Sequence, residues 1–287
     1  MTAVLLACAS ALLFGAMTVT LRLGLRGAPD AAVATLGTIL PALGVALVAV
    51  AVEVARPGRL GIVHAWPYLL AGFLAPGGSQ ILFTLGVRDA GPSRASVAVG
   101  TAPLVSVAIA LAVLGEPVRA PLLVGAVLIV GGGIALVGER GRPEHVRTIG
   151  LAYAGLCTLF FATRDNLVRH LSGLHGAPAP GVAAATTLLT GTAIALLWFA
   201  RSSARPSVST WLRFLPAGLC FGLSYVCLFE AFFRSRVTVV APLVATESLW
   251  GVTLSVLLFR RTELVGRRLV AGALLIVTGG ALIGAFR

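Results

Sequence analysis

The feature that most constrains this chain is the recurrence of apolar stretches about twenty residues long, each broken off by arginine, proline or glycine. A helix of about 20 mostly apolar residues crosses the hydrocarbon core of a bilayer. The breaks mark ten such stretches. In the first half they run Thr2–Leu21, Ala31–Val52, Trp66–Val87, Ser93–Leu114 and Ala120–Gly138. In the second they run Thr148–Val168, Pro180–Ala200, Trp211–Phe233, Val237–Phe259 and Arg267–Phe286. The connections are short, and residues 139–147 (ERGRPEHVR) read as a linker between halves. The first run has no basic segment before it and takes part in the repeat described below, so it reads as a span rather than a cleaved leader.

Composition agrees. Side chains are 58% hydrophobic and 11% charged, against about 25% charged residues in a soluble domain. That excludes a soluble enzyme and a disordered chain. All 22 basic residues are arginine. Without lysine there is no Walker phosphate loop and no Schiff base. The net charge of +12 does not point to nucleic acid, because the arginines punctuate the ends of apolar runs, where headgroups anchor them. Cys8, Cys157, Cys220 and Cys227 sit inside apolar runs, which fits neither a disulfide framework nor a zinc site. The histidines fall in connections without metal-ligand spacing, and no cofactor is expected.

The two halves answer one another at an offset of 147 residues. Phe14 maps to Phe161, Arg22 to Arg169, Glu116 to Glu263 and Gly125 to Gly272. Leu128-Ile129-Val130 maps to Leu275-Ile276-Val277, and Gly132-Gly133 to Gly279-Gly280. The register slips around Pro103 and Pro242. Five spans per half is an odd number, so the second copy enters the membrane upside down. This is the inverted repeat of secondary transporters, which place a site near the midplane between halves. The expected fold is therefore all-α, an integral membrane protein of ten transmembrane helices in two inverted five-helix repeats (residues 1–138 and 148–287).

The fourth and fifth stretches, Ser93 to Gly138, carry Pro103, the pair Gly115-Glu116 and a glycine-rich fifth stretch; Ser235 to Gly280 repeats the pattern. This resembles the EamA-like branch of the drug/metabolite transporter superfamily over nearly the whole chain. A departure is Arg261-Thr262-Glu263, where the family pattern has Leu-Gly-Glu. The resemblance implies a multi-pass plasma-membrane carrier of ten helices with cytoplasmic termini, exporting small metabolites such as amino acids. It also implies a cavity lined by spans one, three, four, six, eight and nine, with five and ten packing outside. Gly280 and Gly284 in the last span have the spacing of a close helix contact. The arginine distribution argues against the implied orientation: fourteen lie in connections on the face away from the termini and seven on the termini's face, whereas arginine-rich loops are ordinarily cytoplasmic.

An ionised side chain at the bilayer centre costs roughly 2.5–3.5 kcal/mol on insertion scales, so a charge inside a span marks a candidate site. Glu247 lies near the middle of the ninth span, with Ser248 and Trp250 beside it. Its carboxyl can exchange a proton for substrate or, ionised, bind the amino group of a zwitterion. A protonated structural glutamate is the plainer alternative. Arg164 and Asp165 lie in the sixth span and Glu230 in the eighth. These two spans run parallel, which suggests an Arg164–Glu230 ion pair; the alternative is that all three are interfacial. Gln80, Thr101 and Tyr225 are weaker lining candidates, each more often a packing residue. Pro76, Pro103 and Pro242 are placed to break helical hydrogen bonding and present carbonyls to a cavity, or simply to kink.

The leading expectation is an exporter of a small polar metabolite, an amino acid or a drug-like amine, with protons as possible coupling partners and the lipid bilayer as surroundings, monomeric or homodimeric. A membrane-embedded lipid-modifying enzyme and a non-transporting membrane partner are the alternatives. The first would need clustered catalytic groups at one interface, which the sequence does not display.

Overall fold

A computed structural model describes residues 1–26, 30–55, 60–90, 99–117, 119–137, 148–258 and 267–286. Among them every regular element is helical: α1 (Thr2–Gly24), α2 (Ala31–Val54), α3 (Pro67–Gly72), α4 (Ser79–Ala90), α5 (Ala102–Ala112), α6 (Ala120–Val137), α7 (Thr148–Ser172), α8 (Pro180–Ala200), α9 (Val208–Arg234), α10 (Val237–Val244), α11 (Glu247–Leu258) and α12 (Arg267–Phe286). Among the described residues five segments are long and apolar enough to cross a membrane: Thr2–Gly24, Ala31–Val54, Pro67–Gly86, Pro180–Ala200 and Val208–Arg234. Shorter apolar helices, among them Ala102–Ala112 and Ala120–Ala135, complete the bundle. The linker 139–147 and Glu263 lie outside the described residues.

Large apolar side chains are exposed all over the outer surface, including Leu47, Val48, Leu70, Leu189, Leu197 and Leu274. A soluble monomer rarely shows apolar patches of this extent. The same side chains in lipid tails are already solvated, so the helices cohere by close packing and internal hydrogen bonds rather than by escape from water.

Two spans are broken by proline. Between α3 and α4 the segment Phe73–Gly78 widens into a π-type turn, with Ala75 extended (φ −145°, ψ 123°) and a cis bond to Pro76. Between α10 and α11 the helix stops at Ala245-Thr246, three residues after Pro242. Proline lacks the N–H and crowds the preceding turn, so a spanning helix survives it only where neighbours satisfy the freed groups. One such group is the Ala75 carbonyl, which accepts a 2.6 Å hydrogen bond from the Tyr225 hydroxyl.

The packing has a regular plan. Helix α1 lies against α9 and α11, while α7 lies against α4 and α5. Helix α2 packs on α9, and α8 packs on α3 with its π-type extension. Helix α2 meets α8, and α6 meets α12. At the centre Phe14 sits edge-on to Phe83, Phe161 and Phe221, with centroids 6.0–6.1 Å apart.

The α6–α12 crossing is tight because it is made of glycines. A Cβ on Gly132 would stand 2.6 Å from the Gly272 carbonyl oxygen, and one on Gly279 would stand 2.6 Å from that of Gly125. The Gly280–Gly284 spacing expected from the sequence is not what makes this contact: the nearest atom to a Cβ on Gly280 is Leu243 Cδ2, at 3.8 Å. Gly280 is turned away from α6, whereas Gly272 and Gly279, one heptad apart, fall on the facing side.

Candidate functional site

One cavity runs into the middle of the bundle, with a volume of about 50 Å³. That exceeds the roughly 10–15 Å³ needed to admit a water molecule. It is lined from α1 by Ser10 and Phe14, from α7 by Phe161, Arg164 and Asp165, and from α9 by Ser224, Tyr225 and Leu228. Val99, Ala102 and Pro103 close one side, and Ala241, Val244, Ala245 and Glu247 another.

The electrostatics of the cavity centre on Arg164. Its residue exposure is 3%, and Nε lies 2.8 Å from Asp165 Oδ1. Consecutive helix positions do not ordinarily face each other, so the long arginine side chain folds back to make this pair. The guanidinium also lies over two rings, 4.9 Å from the Tyr225 centroid and 5.6 Å from that of Phe161. Nη1 remains without a hydrogen-bond partner. A buried cation, neutralised on one side and bare on the other, is suited to accept an anionic ligand group by charge-assisted hydrogen bonding.

Glu247 opens α11, immediately after the break at Ala245-Thr246. The sequence suggests a mid-helix residue; the structure places its carboxyl at a helix start inside the bundle, half-buried. Discontinuous helices of this kind supply ligand-binding ends at the membrane midplane in transporters. The cavity therefore carries a cation, two carboxyl groups and three aromatic rings within one small volume.

The expected Arg164–Glu230 pair is not made. Glu230 pairs with Arg234, one turn further along α9. The reason is depth: Glu230 is four residues from the end of α9, Arg164 eight from the end of α7. At 1.5 Å per residue this is a difference of roughly 6 Å. Arg234 reaches the surface, with its side chain 46% exposed, and draws Glu230 with it.

The structure thus gathers Arg164, Asp165, Tyr225 and Glu247 around one space, with Glu230 elsewhere. Gln80 is fully buried and Thr101 precedes α5, and neither lines the cavity. Trp250 also lies off the cavity, with its Cβ against Gly15 where α11 meets α1. The side chain of Ser248 lies outside the described residues. The cavity does not include span three, which the family resemblance had implied. Sequence reasoning missed Ser10, Ser224 and Leu228. The two serines bond to each other (Oγ to Oγ, 3.0 Å). Two mid-span hydroxyls with no charge nearby in sequence gave little signal.

Two glutamates act away from the cavity. Glu53 at the end of α2 accepts from the N–H groups of Gly181 (2.7 Å) and Val182 (3.2 Å), which begin α8. Glu116 accepts from those of Val237 (2.9 Å) and Thr238 (3.0 Å), which begin α10. Gly115 has φ +63°, a backbone turn open mainly to glycine. It carries the chain off α5 so that the next carboxylate faces a helix start. The Gly-Glu pair noted in the sequence thus has a physical role, since it satisfies two of the free donors at a helix N-terminus.

The comparisons fall in line with this geometry. The model of the EamA-like transporter family matches residues 1–138 and again residues 148–285. A solved crystal structure superposes with a TM-score of 0.80 at 19% identity, over 100% of this chain and 97% of its own; at that identity the likeness is one of fold. No curated protein matches the chain. A multi-pass apolar bundle, with two matches to one family model that together span nearly its whole length, is a membrane protein of the drug/metabolite transporter superfamily, and the chain belongs to the EamA-like transporter family.

Proposed function

We propose that the protein is a secondary carrier that exports a small zwitterionic or amine metabolite across the plasma membrane by alternating access between two inverted five-helix repeats. The observation that carries the substrate class is the cavity itself. Arg164 Nη1 is open to a carboxylate, Glu247 stands ready for an ammonium group, and Phe14, Phe161 and Tyr225 offer apolar faces. Glu247 also has the chemistry to trade a proton for the substrate's amino group.

The inverted repeat is supported by reciprocal contacts. Where residue i meets the counterpart of j, and j meets the counterpart of i, a two-fold axis relates the copies. Gly125 and Gly132 have counterparts Gly272 and Gly279; Gly125 meets Gly279 and Gly132 meets Gly272. Ile129 stands against Gly279, and its counterpart Ile276 stands against Gly132. Phe14 touches its own counterpart Phe161, as a residue beside the axis must. Counting the broken pairs α3–α4 and α10–α11 as one crossing each gives ten among the described residues, which supports the ten-helix reading.

Uptake into proteoliposomes against a panel of amino acids and amines tests the reading, with Glu247→Gln alongside. The variant is expected to lose at least tenfold of the transport rate and the response to pH. Normal transport and normal pH response would remove Glu247 from the mechanism. For orientation, a reporter fused to the C-terminus is expected to be active in the cytoplasm. Activity on the outside would show that the arginine bias governs instead.

A further inference from the structure

The cavity has a shadow in the other half of the molecule. Ser224 donates from its hydroxyl to the Ser10 carbonyl at 2.9 Å, joining α9 to α1. Cys157 donates from its thiol to the Ser79 carbonyl at 3.3 Å, joining α7 to α4. Ser10 and Cys157 are counterparts at the repeat offset of 147. The reciprocal contact makes Ser79 the counterpart of Ser224, an offset of 145, and the next residue, Gln80, the counterpart of Tyr225. So the cavity-lining set Ser10, Ser224 and Tyr225 is matched by Cys157, Ser79 and Gln80, none of which lines that cavity.

The matched set is not at rest. Ser79 and Gln80 have no solvent exposure, and Ser79 Oγ, Gln80 Nε2 and Gln80 Oε1 have no hydrogen-bond partner. Buried polar atoms are nearly always paired, and each exception asks for an explanation. The nearby hydroxyls of Thr84 and Thr35 are paired: Thr84 bonds to the Gln80 carbonyl at 2.8 Å and Thr35 to the Thr84 hydroxyl at 3.1 Å. Water or a ligand entering beside α4 and α7 would satisfy all three orphaned atoms at once.

We infer that Ser79, Gln80 and Cys157 form a second half-site, closed in this structure, which replaces Ser10, Ser224 and Tyr225 as the lining when the cavity opens to the opposite face of the membrane. The inference rests on the inverted-repeat reading above. It adds a substrate requirement. The charged pair has no charged counterpart, since Arg164 and Asp165 map to Met17 and Thr18. The second half-site therefore greets the ligand with a neutral amide and hydroxyl, and the ligand must carry hydrogen-bonding groups that a carboxamide can serve.

The test uses the full chain in sealed vesicles, with its own cysteines present, and a charged maleimide that does not cross membranes. Adducts are located by peptide mass, on the wild-type chain for Cys157 and on Ser10→Cys for its counterpart. Each thiol is expected to react at least tenfold faster from one face, and the two faces are expected to differ. Reaction of both from the same face overturns the inference, as does a Cys157 that stays inert from both faces while Ser10→Cys reacts. A second variant, Gln80→Leu, removes the orphaned amide and should favour the closed form. It is expected to slow Cys157 labelling about tenfold while leaving the Ser10→Cys thiol as reactive as before or more so; equal slowing of both overturns the inference. Opposite-face labelling without transport of any panel compound would sink the substrate reading and keep this one. Transport with same-face labelling would do the reverse.

Discussion

Replacing Arg164 with alanine is expected to abolish uptake and to destabilise the bundle by roughly 3–5 kcal/mol, the cost typical of breaking a buried ion pair from one side. The penalty comes from what is left behind. Asp165 is 8% exposed and its carboxylate lies 2.8 Å from the arginine it would lose. The double variant Arg164→Ala/Asp165→Ala removes both charges, so much of the lost stability should return while uptake stays absent. Arg164→Lys keeps the charge but not the planar fork or the stacking on Tyr225, and should bind substrate weakly. Thermal unfolding in detergent and uptake in proteoliposomes read the two effects separately. Normal uptake in the double variant would take the pair out of the site altogether.

Gly132→Leu is expected to be a damaging change on the outer helices. Its Cβ would stand 2.6 Å from the Gly272 carbonyl oxygen and 3.0 Å from the Ile276 nitrogen. These are backbone atoms, so the helices must part rather than a side chain turn. Overpacking of this kind costs typically about 1–3 kcal/mol, equivalent to a melting point lower by roughly 5 °C. The adjacent residue is the control. A Cβ on Gly131 meets nothing within 4 Å, so Gly131→Leu should melt where the parent does. Equal losses at both positions would mean that glycine serves helix flexibility here rather than close approach.

Much of this architecture was legible in the chain because lipid leaves few choices. Apolar runs of fixed length, and arginines at their ends, mark the spans directly. The offset of 147 was legible too, and Phe14 with Phe161 lay in plain view as a matched pair. That the two rings touch was not, because repeat arithmetic carries no distances. The charged residues inside spans were readable as candidates, since each is expensive to insert. Their partners were not. Arg164 takes its sequence neighbour, through side-chain flexibility that helical spacing rules ignore, and Glu230 follows Arg234 toward the surface. Proline marked the breaks at Pro76 and Pro242. It could not say that the carbonyl freed at Ala75 would be claimed by Tyr225 from a different helix. Nor could it say that Glu247 would begin a helix instead of sitting inside one.

Glu53 and Glu116 have a consequence for how the two halves hold together. The helix starts they hold, those of α8 and α10, lie at the same end of the bundle, because Arg169 near the end of α7 bonds to the Phe232 carbonyl near the end of α9, and short turns lead from these ends into α8 and α10. Both acids come from one half of the chain and both helix starts from the other. Four charge-assisted bonds therefore stitch the halves together along a single rim. Prising that rim apart means trading all four for water, so these bonds clasp the two halves to one another at that end.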